Sequence, residues 1–323
     1  MQSSKKISAF IKLCIVFLAV WFLYQKIFSN ESYSEVKTQF LSILSEGSYI
    51  ELALVFFLML INWSIDAIKW QFLVSKLERV SFWLALKAVF LGITVSIFTP
   101  NRVGEFGGRV FCLQQADRVK AILATIFGNI TQLVTTIIFG VLAFLFFSSQ
   151  YTYLLFTKSD YGIYILLVLS IVVITGLMFL LYNVSQLSSL FSRWNFLEKY
   201  KSYAPVFSLF SAKDISKILF LSMLRYGVYS FQFYLLIKFA NIEINLLQSL
   251  TMSALTFLSM SIIPTIALTE LGVRGSVAIY FFNFISSNTI GIMTASFALW
   301  IINLVVPAII GIFFVYQLKF FRK

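Results

Sequence analysis

Two charged pentads interrupt an otherwise apolar chain: Glu105-Phe106-Gly107-Gly108-Arg109 and Glu270-Leu271-Gly272-Val273-Arg274. Each reads Glu-x-Gly-x-Arg, and the copies are 270 − 105 = 165 residues apart, about half the chain. A carboxylate and a guanidinium four residues apart share one face of a helix, so Glu105 can pair with Arg109 and Glu270 with Arg274. Such pairing lowers the cost of carrying either charge into an apolar medium. The arginine fork offers donors matched to phosphate oxygens. Pro100 and Pro264 stand just upstream, where a proline starts or breaks a half-helix. Free N–H groups at a half-helix start form a further anion site. Gly104, Gly107 and Gly272 permit a tight turn and close helix approach. The chemistry predicted is capture of a phosphorylated headgroup.

Other polar residues fall inside apolar runs. Arg225 lies near the middle of 215–237, where an arginine costs at least ~2.5–3.5 kcal/mol on insertion scales, so it must face a cavity or a partner. Asn62, Asp66 and Lys69 share one helical face. Asp66 is the deeper of the two charges, and Lys69 is expected to snorkel toward the interface. Arg102 belongs to the first motif, while Ala267 stands at its offset in the second, so Arg102 is also expected at the interface. Asn129, Gln132 and Asn303 read as hydrogen-bonded glue between helices. The candidate substrate-binding set is Arg109, Arg274, Arg225, Glu105, Glu270, Arg102 and Asp66. Pro100, Gly104, Gly107, Pro264 and Gly272 are candidate structural tips.

What positions these residues follows from composition. Of 323 residues, 60% are hydrophobic and 12% charged, against about one quarter charged in soluble domains. The chain is read as one polytopic membrane domain, 1–323. Runs long enough to cross a bilayer, roughly 20 residues, fall at about 8–28, 52–74, 121–148, 161–183, 215–237 and 291–318. Shorter runs at 83–99, 247–265 and 275–286 flank the pentads. The segment 29–51 is acidic and reads as outside; 184–217, the N-terminus and the C-terminus are basic and read as cytoplasmic. All basic segments fall inside only if 83–113 and 247–287 dip into the membrane and return, from opposite faces. The expected fold is therefore all-α: about six transmembrane helices, two re-entrant helical hairpins, and an inverted repeat with halves near 52–183 and 215–318. A non-helical tip at membrane depth must be buried in protein or line a wet cavity.

Several classes of chemistry lack their residues. There is no histidine, the commonest general base and metal ligand. Cys14 and Cys112 form no CxxC pair, so no metal site is expected. No phosphate-binding Gly-x-x-x-x-Gly-Lys stretch and no Gly-x-Ser-x-Gly occur, and no cofactor is expected. The net charge of +12 is read as basic cytoplasmic loops, not a nucleic-acid partner.

The stretch Thr99-Pro100-Asn101-Arg102-Val103-Gly104-Glu105-Phe106-Gly107-Gly108-Arg109 resembles a recurrent motif of the lysylphosphatidylglycerol synthase transmembrane region, a family also described as flippase-like. That motif reads Pro-x-Arg-x-Gly-Glu followed by Arg; Pro100, Arg102, Gly104, Glu105 and Arg109 match. Ile263-Pro264 through Arg274 is similar to the family's second motif but departs from it. Thr265-Ile266-Ala267 replace the glycines after the proline, and Glu270 precedes Gly272. Asn62-Trp63 to Lys69-Trp70 also resembles the family's second helix. The resemblance extends over nearly the whole chain by layout. It implies a lipid translocator with two re-entrant elements in a bacterial cytoplasmic membrane. Larger members append a soluble aminoacyl-transfer domain; the chain ends at Lys323, so a membrane region without that enzyme is expected.

The expected activity is translocation of a phospholipid or glycolipid headgroup through a central polar cavity. Arg109, Arg274 and Arg225 would hold the phosphate, with Glu105 and Glu270 balancing charge. The expected partner is an anionic phospholipid or a lipid-linked sugar. The alternative is an accessory protein or transferase acting on lipid-linked sugars or aminoacyl lipids with a partner enzyme; a third reading is a scaffold without transport. The topology predicts that Ser202→Cys, in a chain with Cys14 and Cys112 changed to serine, resists a membrane-impermeant thiol reagent in intact cells. Labelling from outside would reverse the orientation.

Overall fold

The computed structural model describes residue 38 and residues 49–97, 99, 102–150, 160–186, 203–263 and 267–315. The expected span 8–28, both prolines Pro100 and Pro264, and most of the basic loop 184–217 lie outside the described residues. Ten α-helices follow: α1 Tyr49–Val74, α2 Phe82–Ser96, α3 Gly104–Val110, α4 Arg118–Gln150, α5 Asp160–Tyr182, α6 Ala212–Phe239, α7 Leu246–Ile262, α8 Ala267–Phe282, α9 Thr289–Trp300 and α10 Val306–Phe314. A π-helical turn, Ile301–Val305, joins α9 to α10. Pro307 has no N–H to offer the Asn303 carbonyl, which accounts for the break in the α-helical ladder there.

Four described segments are long and apolar enough to cross a membrane: α1, α4, Tyr164–Tyr182 of α5, and the continuous Thr289–Phe314. At 28 residues, α6 has the length, but Arg225, Gln232 and its serines and tyrosines dilute its hydropathy. α2 and α7 are shorter apolar helices. Their starts are fixed chemically. The Ser81 hydroxyl accepts the Leu84 N–H at the head of α2. Asn245 and Gln248 form a capping box on α7, as Ser211 and Asp214 do on α6, and each such cap stabilises its helix by about 1 kcal/mol.

The central packing unit is α1 against α6. Gln232 Nε2 donates to the Val55 carbonyl at 2.9 Å, Arg225 Nη1 to Asp66 Oδ1 at 3.0 Å, Lys69 Nζ to Ser222 Oγ at 3.4 Å and Lys76 Nζ to Asp214 Oδ2 at 3.0 Å. As the partner in α1 and the turn after it advances from 55 to 76, the α6 partner retreats from 232 to 214. The two helices therefore run antiparallel, with polar contacts along their whole length.

Helix bounds recur at the 165-residue spacing of the pentads. Shifted by 165, α1 falls on 214–239, where α6 lies; α2 falls on 247–261, where α7 lies; α3 falls on 269–275, inside α8. Packing partners recur too: α2 lies against α10 and α7 against α4, while α3 lies against α4 and α8 against α9. Each of the first two crossings uses a glycine. A Cβ on Gly311 would collide with Thr94 Oγ1 and the Phe90 carbonyl, and one on Gly140 would stand 2.6 Å from Leu258 Cβ.

The short α3 folds back on α2 by backbone contact. A Cβ at Gly108 would stand 2.8 Å from the Gly92 Cα, and one at Gly104 2.7 Å from the Val95 carbonyl. Of the candidate tip glycines, Gly104 thus makes a close approach. Gly107 meets only a Phe111 ring carbon at 3.7 Å, and Gly272 meets nothing within 4 Å. The tight contact expected of Gly107 is instead made by Gly108 with Gly92. Gly108→Ala should therefore lower thermal stability by about 1–3 kcal/mol, the range for overpacking. Gly272→Ala should be neutral or slightly stabilising, since helical glycine is unfavourable relative to alanine. Detergent-solubilised melting curves measure both; equal effects at the two sites would contradict this account of the hairpin.

Candidate functional site

Two ion clusters lie within the helical layer, and each is built on one pentad. In the first, Arg109 on α3 pairs with Glu105 one turn earlier. It also donates to Asp66 Oδ2 on α1 at 2.6 Å. The missing side chain of Gly92 makes this possible, because a Cβ there would stand 2.7 Å from Arg109 Cγ. Asp66 further holds Arg225 on α6 and Lys69, at 3.5 Å, one turn along its own helix. Lys69 also donates to Gln132 Oε1 on α4 at 3.1 Å. One fully buried carboxylate thus ties together α1, α3 and α6, and α4 joins through Lys69. Burying a charge in a low dielectric is unfavourable unless it is paired and hydrogen-bonded; Asp66 and its cations satisfy each other.

In the second cluster, Arg274 on α8 pairs with Glu270 at 3.0 Å and donates to the Tyr229 hydroxyl on α6 at 3.3 Å. Glu270 also receives Arg102 at 2.6 Å. Arg102 belongs to the first motif, so this contact joins the two hairpins across 168 residues. Its backbone is left-handed, φ 57°, a conformation that disfavours a side chain carrying Cβ. The two clusters differ in one respect. Arg109 has two carboxylates, Glu105 and Asp66. Arg274 has one, which it shares with Arg102, and a phenol where Arg109 has Asp66.

Between the clusters lies a cavity of about 280 Å³. Arg102, Arg225 and Arg274 line it, with Asn62, Trp63, Gln132, Thr136, Tyr226, Tyr229, Phe257, Met260, Ser261, Trp300, Asn303 and Leu304. The Arg225 guanidinium lies 4.8 Å from the centre of the Trp63 ring, a cation–π contact that holds it in place. Asn62 Nδ2 donates to Asn303 Oδ1 at 3.2 Å across α1 and the π turn. The clusters together hold five cations (Lys69, Arg102, Arg109, Arg225, Arg274) and three carboxylates (Asp66, Glu105, Glu270), a net of +2. Such a cavity attracts an anion.

The candidate residues divide on this geometry. Arg225, Arg274 and Arg102 face the cavity. Arg109 is buried behind it, 1% exposed, and Asp66 and Glu105 hold it there; all three position the site. One expectation is corrected. Lys69 does not snorkel: it is 1% exposed, because the Asp66 carboxylate, Gln132 and Ser222 replace water around its ammonium. Arg102 pairs with Glu270, and its side chain is 39% exposed. Gln132 and Asn303 bond across helices as expected of glue, and both also line the cavity. Tyr229, Trp63 and Trp300 are site residues that the spacing did not single out; Tyr229 lies one turn after Arg225, which is the signal that could have found it.

A model of the lysylphosphatidylglycerol synthase TM region family matches residues 9–311. No curated protein matches the chain.

Asp66→Asn removes the charge that three buried or half-buried cations share. It should destabilise the protein by about 3–5 kcal/mol, the usual result of breaking a buried ion pair from one side. Glu105→Gln leaves Arg109 its Asp66 contact and should cost less. Melting temperatures of the two variants give the order; a larger loss at Glu105 would contradict the assignment of Asp66 as the shared anion.

Proposed function

The chain belongs to the lysylphosphatidylglycerol synthase transmembrane-region family, and we propose that it moves the phosphate-bearing headgroup of a membrane lipid through the central cavity. Family membership makes it an integral membrane protein of lipid metabolism or transport. The step to translocation rests on one observation: three guanidiniums, Arg102, Arg225 and Arg274, line a single cavity inside the helical layer. A phosphate diester carries one charge and two exposed oxygens, and arginine binds such groups bidentately. The acyl chains remain in the bilayer while the headgroup occupies the cavity.

Alternating access is the mechanism we infer. It would rest on two repeat halves, near 52–183 and 215–318, each with a re-entrant hairpin. The recurrence of helix bounds at 165 residues and the exchange of packing partners, α2 with α10 and α7 with α4, favour a two-fold relation. The corresponding helices α1 and α6 run antiparallel, which favours an axis in the membrane plane, as in inverted-repeat transporters. Arg102–Glu270 ties the hairpins together in this state. Because Arg102 and Arg274 share one carboxylate, an incoming phosphate can take over part of Glu270's role and free one hairpin from the other. With loop charge setting orientation, the hairpins α2–α3 and α7–α8 enter from the cytoplasmic and the outer face respectively, and both termini are cytoplasmic.

Purified protein in liposomes of the source membrane's lipids should move labelled phospholipid between leaflets. Arg274→Ala and Arg225→Ala should each slow it tenfold or more, the loss expected for a charged hydrogen bond; both should also lower the melting temperature, since each leaves a buried carboxylate one cation short, so rates are compared well below the melting point. Movement of no lipid, or full rate in both variants, would sink the proposal. A covalently altered lipid that depends on Glu105 would favour the transferase alternative.

A further inference from the structure

The two hairpins are held in different ways. The first is tied to the bundle by hydrogen bonds. Thr94 Oγ1 on α2 donates to the Ala308 carbonyl of α10 at 2.9 Å, and Arg109 on α3 donates to Asp66. Just after α3, the Glu78 carboxylate accepts the backbone N–H groups of Gln114, Gln115 and Ala116. In the second hairpin, every side-chain hydrogen bond of α7 among the described residues closes on α7 itself or on its own cap. Among the same residues, α8 reaches outside itself through two polar contacts, Glu270 with Arg102 and Arg274 with Tyr229. The rest of its hold is apolar packing, with Phe257 set against the rings of Tyr226, Tyr229 and Phe233. Such packing is non-directional and tolerates sliding.

Buried hydroxyls follow the same division. Thr94 and Ser96 on α2 both donate to carbonyls. Ser249 and Ser253 on α7 are 0% exposed, and neither hydroxyl has a partner among the described residues. Buried polar groups without partners are rare, and each lowers stability. Ser253 and Met260 follow Ser249 by four and eleven residues, so all three share one side of α7; Met260 lines the cavity. Two dry hydroxyls leading away from a polar cavity are accounted for if this side of α7 becomes wet in another state of the protein.

On the alternating-access reading above, on which this rests, we propose that the α7–α8 hairpin is the moving gate of the cavity. It shifts against a fixed α2–α3 hairpin and opens a polar route along Ser253 and Ser249. The gate's two polar ties involve Arg102 and Arg274, and both arginines line the cavity. An entering anion competes with Glu270 for them, so it favours the state in which the ties are broken. The cargo thereby releases the gate.

Thiol labelling measures the gate without requiring transport. Positions 253 and 256 of α7 correspond, at the 165-residue spacing, to 88 and 91 of α2, and all four residues are 1% exposed or less. Ser253→Cys, Thr256→Cys, Ala88→Cys and Leu91→Cys are made singly in the full chain with Cys14 and Cys112 changed to serine. In lipid nanodiscs, which leave both faces open, each is treated with the anionic reagent sulfonatoethyl methanethiosulfonate. A buried thiol reacts only when its surroundings open, so Ser253→Cys should react at least ~tenfold faster than Ala88→Cys. The 256 and 91 pair should behave likewise and serves if a variant of the first pair does not fold. Arg102→Ala removes one tie. It should raise the Ser253→Cys rate about two- to tenfold, one net hydrogen bond, and leave Ala88→Cys unmoved. Equal rates in the two hairpins, or a faster first hairpin, overturn the inference. So does a Ser253→Cys rate indifferent to Arg102→Ala. Faster labelling of the second hairpin with no lipid moved in liposomes sinks the cargo and keeps the gate. Equal labelling with lipid moved sinks the gate and keeps the cargo.

Discussion

Asp66 is the residue on which the rest of the site depends. It has no contact with water, and a carboxylate there is tolerable only because Arg109, Arg225 and Lys69 surround it. These cations come from α3, α6 and its own α1. The electrostatics therefore fix the mutual placement of the first hairpin and the antiparallel α1–α6 pair. Hydrophobic burial cannot do this inside a bilayer, where lipid tails are as apolar as leucine. Glycines do the rest, letting backbones touch where α3 meets α2 and where α2 meets α10.

From this anchor the two halves of the cavity acquire different characters. The first pentad's arginine is held by two carboxylates and turned away from the cavity. The second pentad's arginine shares one glutamate with Arg102, and both line the cavity. Each cluster carries one cation more than it has carboxylates, three against two in the first and two against one in the second. The fixed half holds Arg225 in position against Trp63. The other half turns Arg102 and Arg274 toward the cavity.

Some of this was legible in the sequence. Spacing of four residues gave both pentad ion pairs, and a lone arginine in an apolar run had to find a partner, as Arg225 does. The helical class and membrane location followed from composition. What spacing cannot give is which side chains from distant segments meet. Lys69 read as a snorkelling residue because Gln132 and Ser222, its partners, lie 63 and 153 residues away. Arg109 read as cavity-facing because nothing in the pentad shows that Asp66 waits behind it. Arg102–Glu270 joins the two motifs, yet the motif copies differ at that very position. The close-packed glycine was placed one residue off, at Gly107, since the pentad offers two adjacent glycines and only three-dimensional packing distinguishes them.

The central claim is that the cavity holds the headgroup of a membrane lipid. The most direct measurement is photo-crosslinking in native membranes. A benzophenone amino acid replaces Phe257, which lines the cavity, and in a parallel protein Phe220, 63% exposed on the outer surface of α6. The account predicts that position 257 captures a phosphate-bearing lipid, and that Arg274→Ala abolishes this capture while position 220 continues to label bulk lipid. Capture at 220 alone, or capture at 257 indifferent to Arg274, would contradict it.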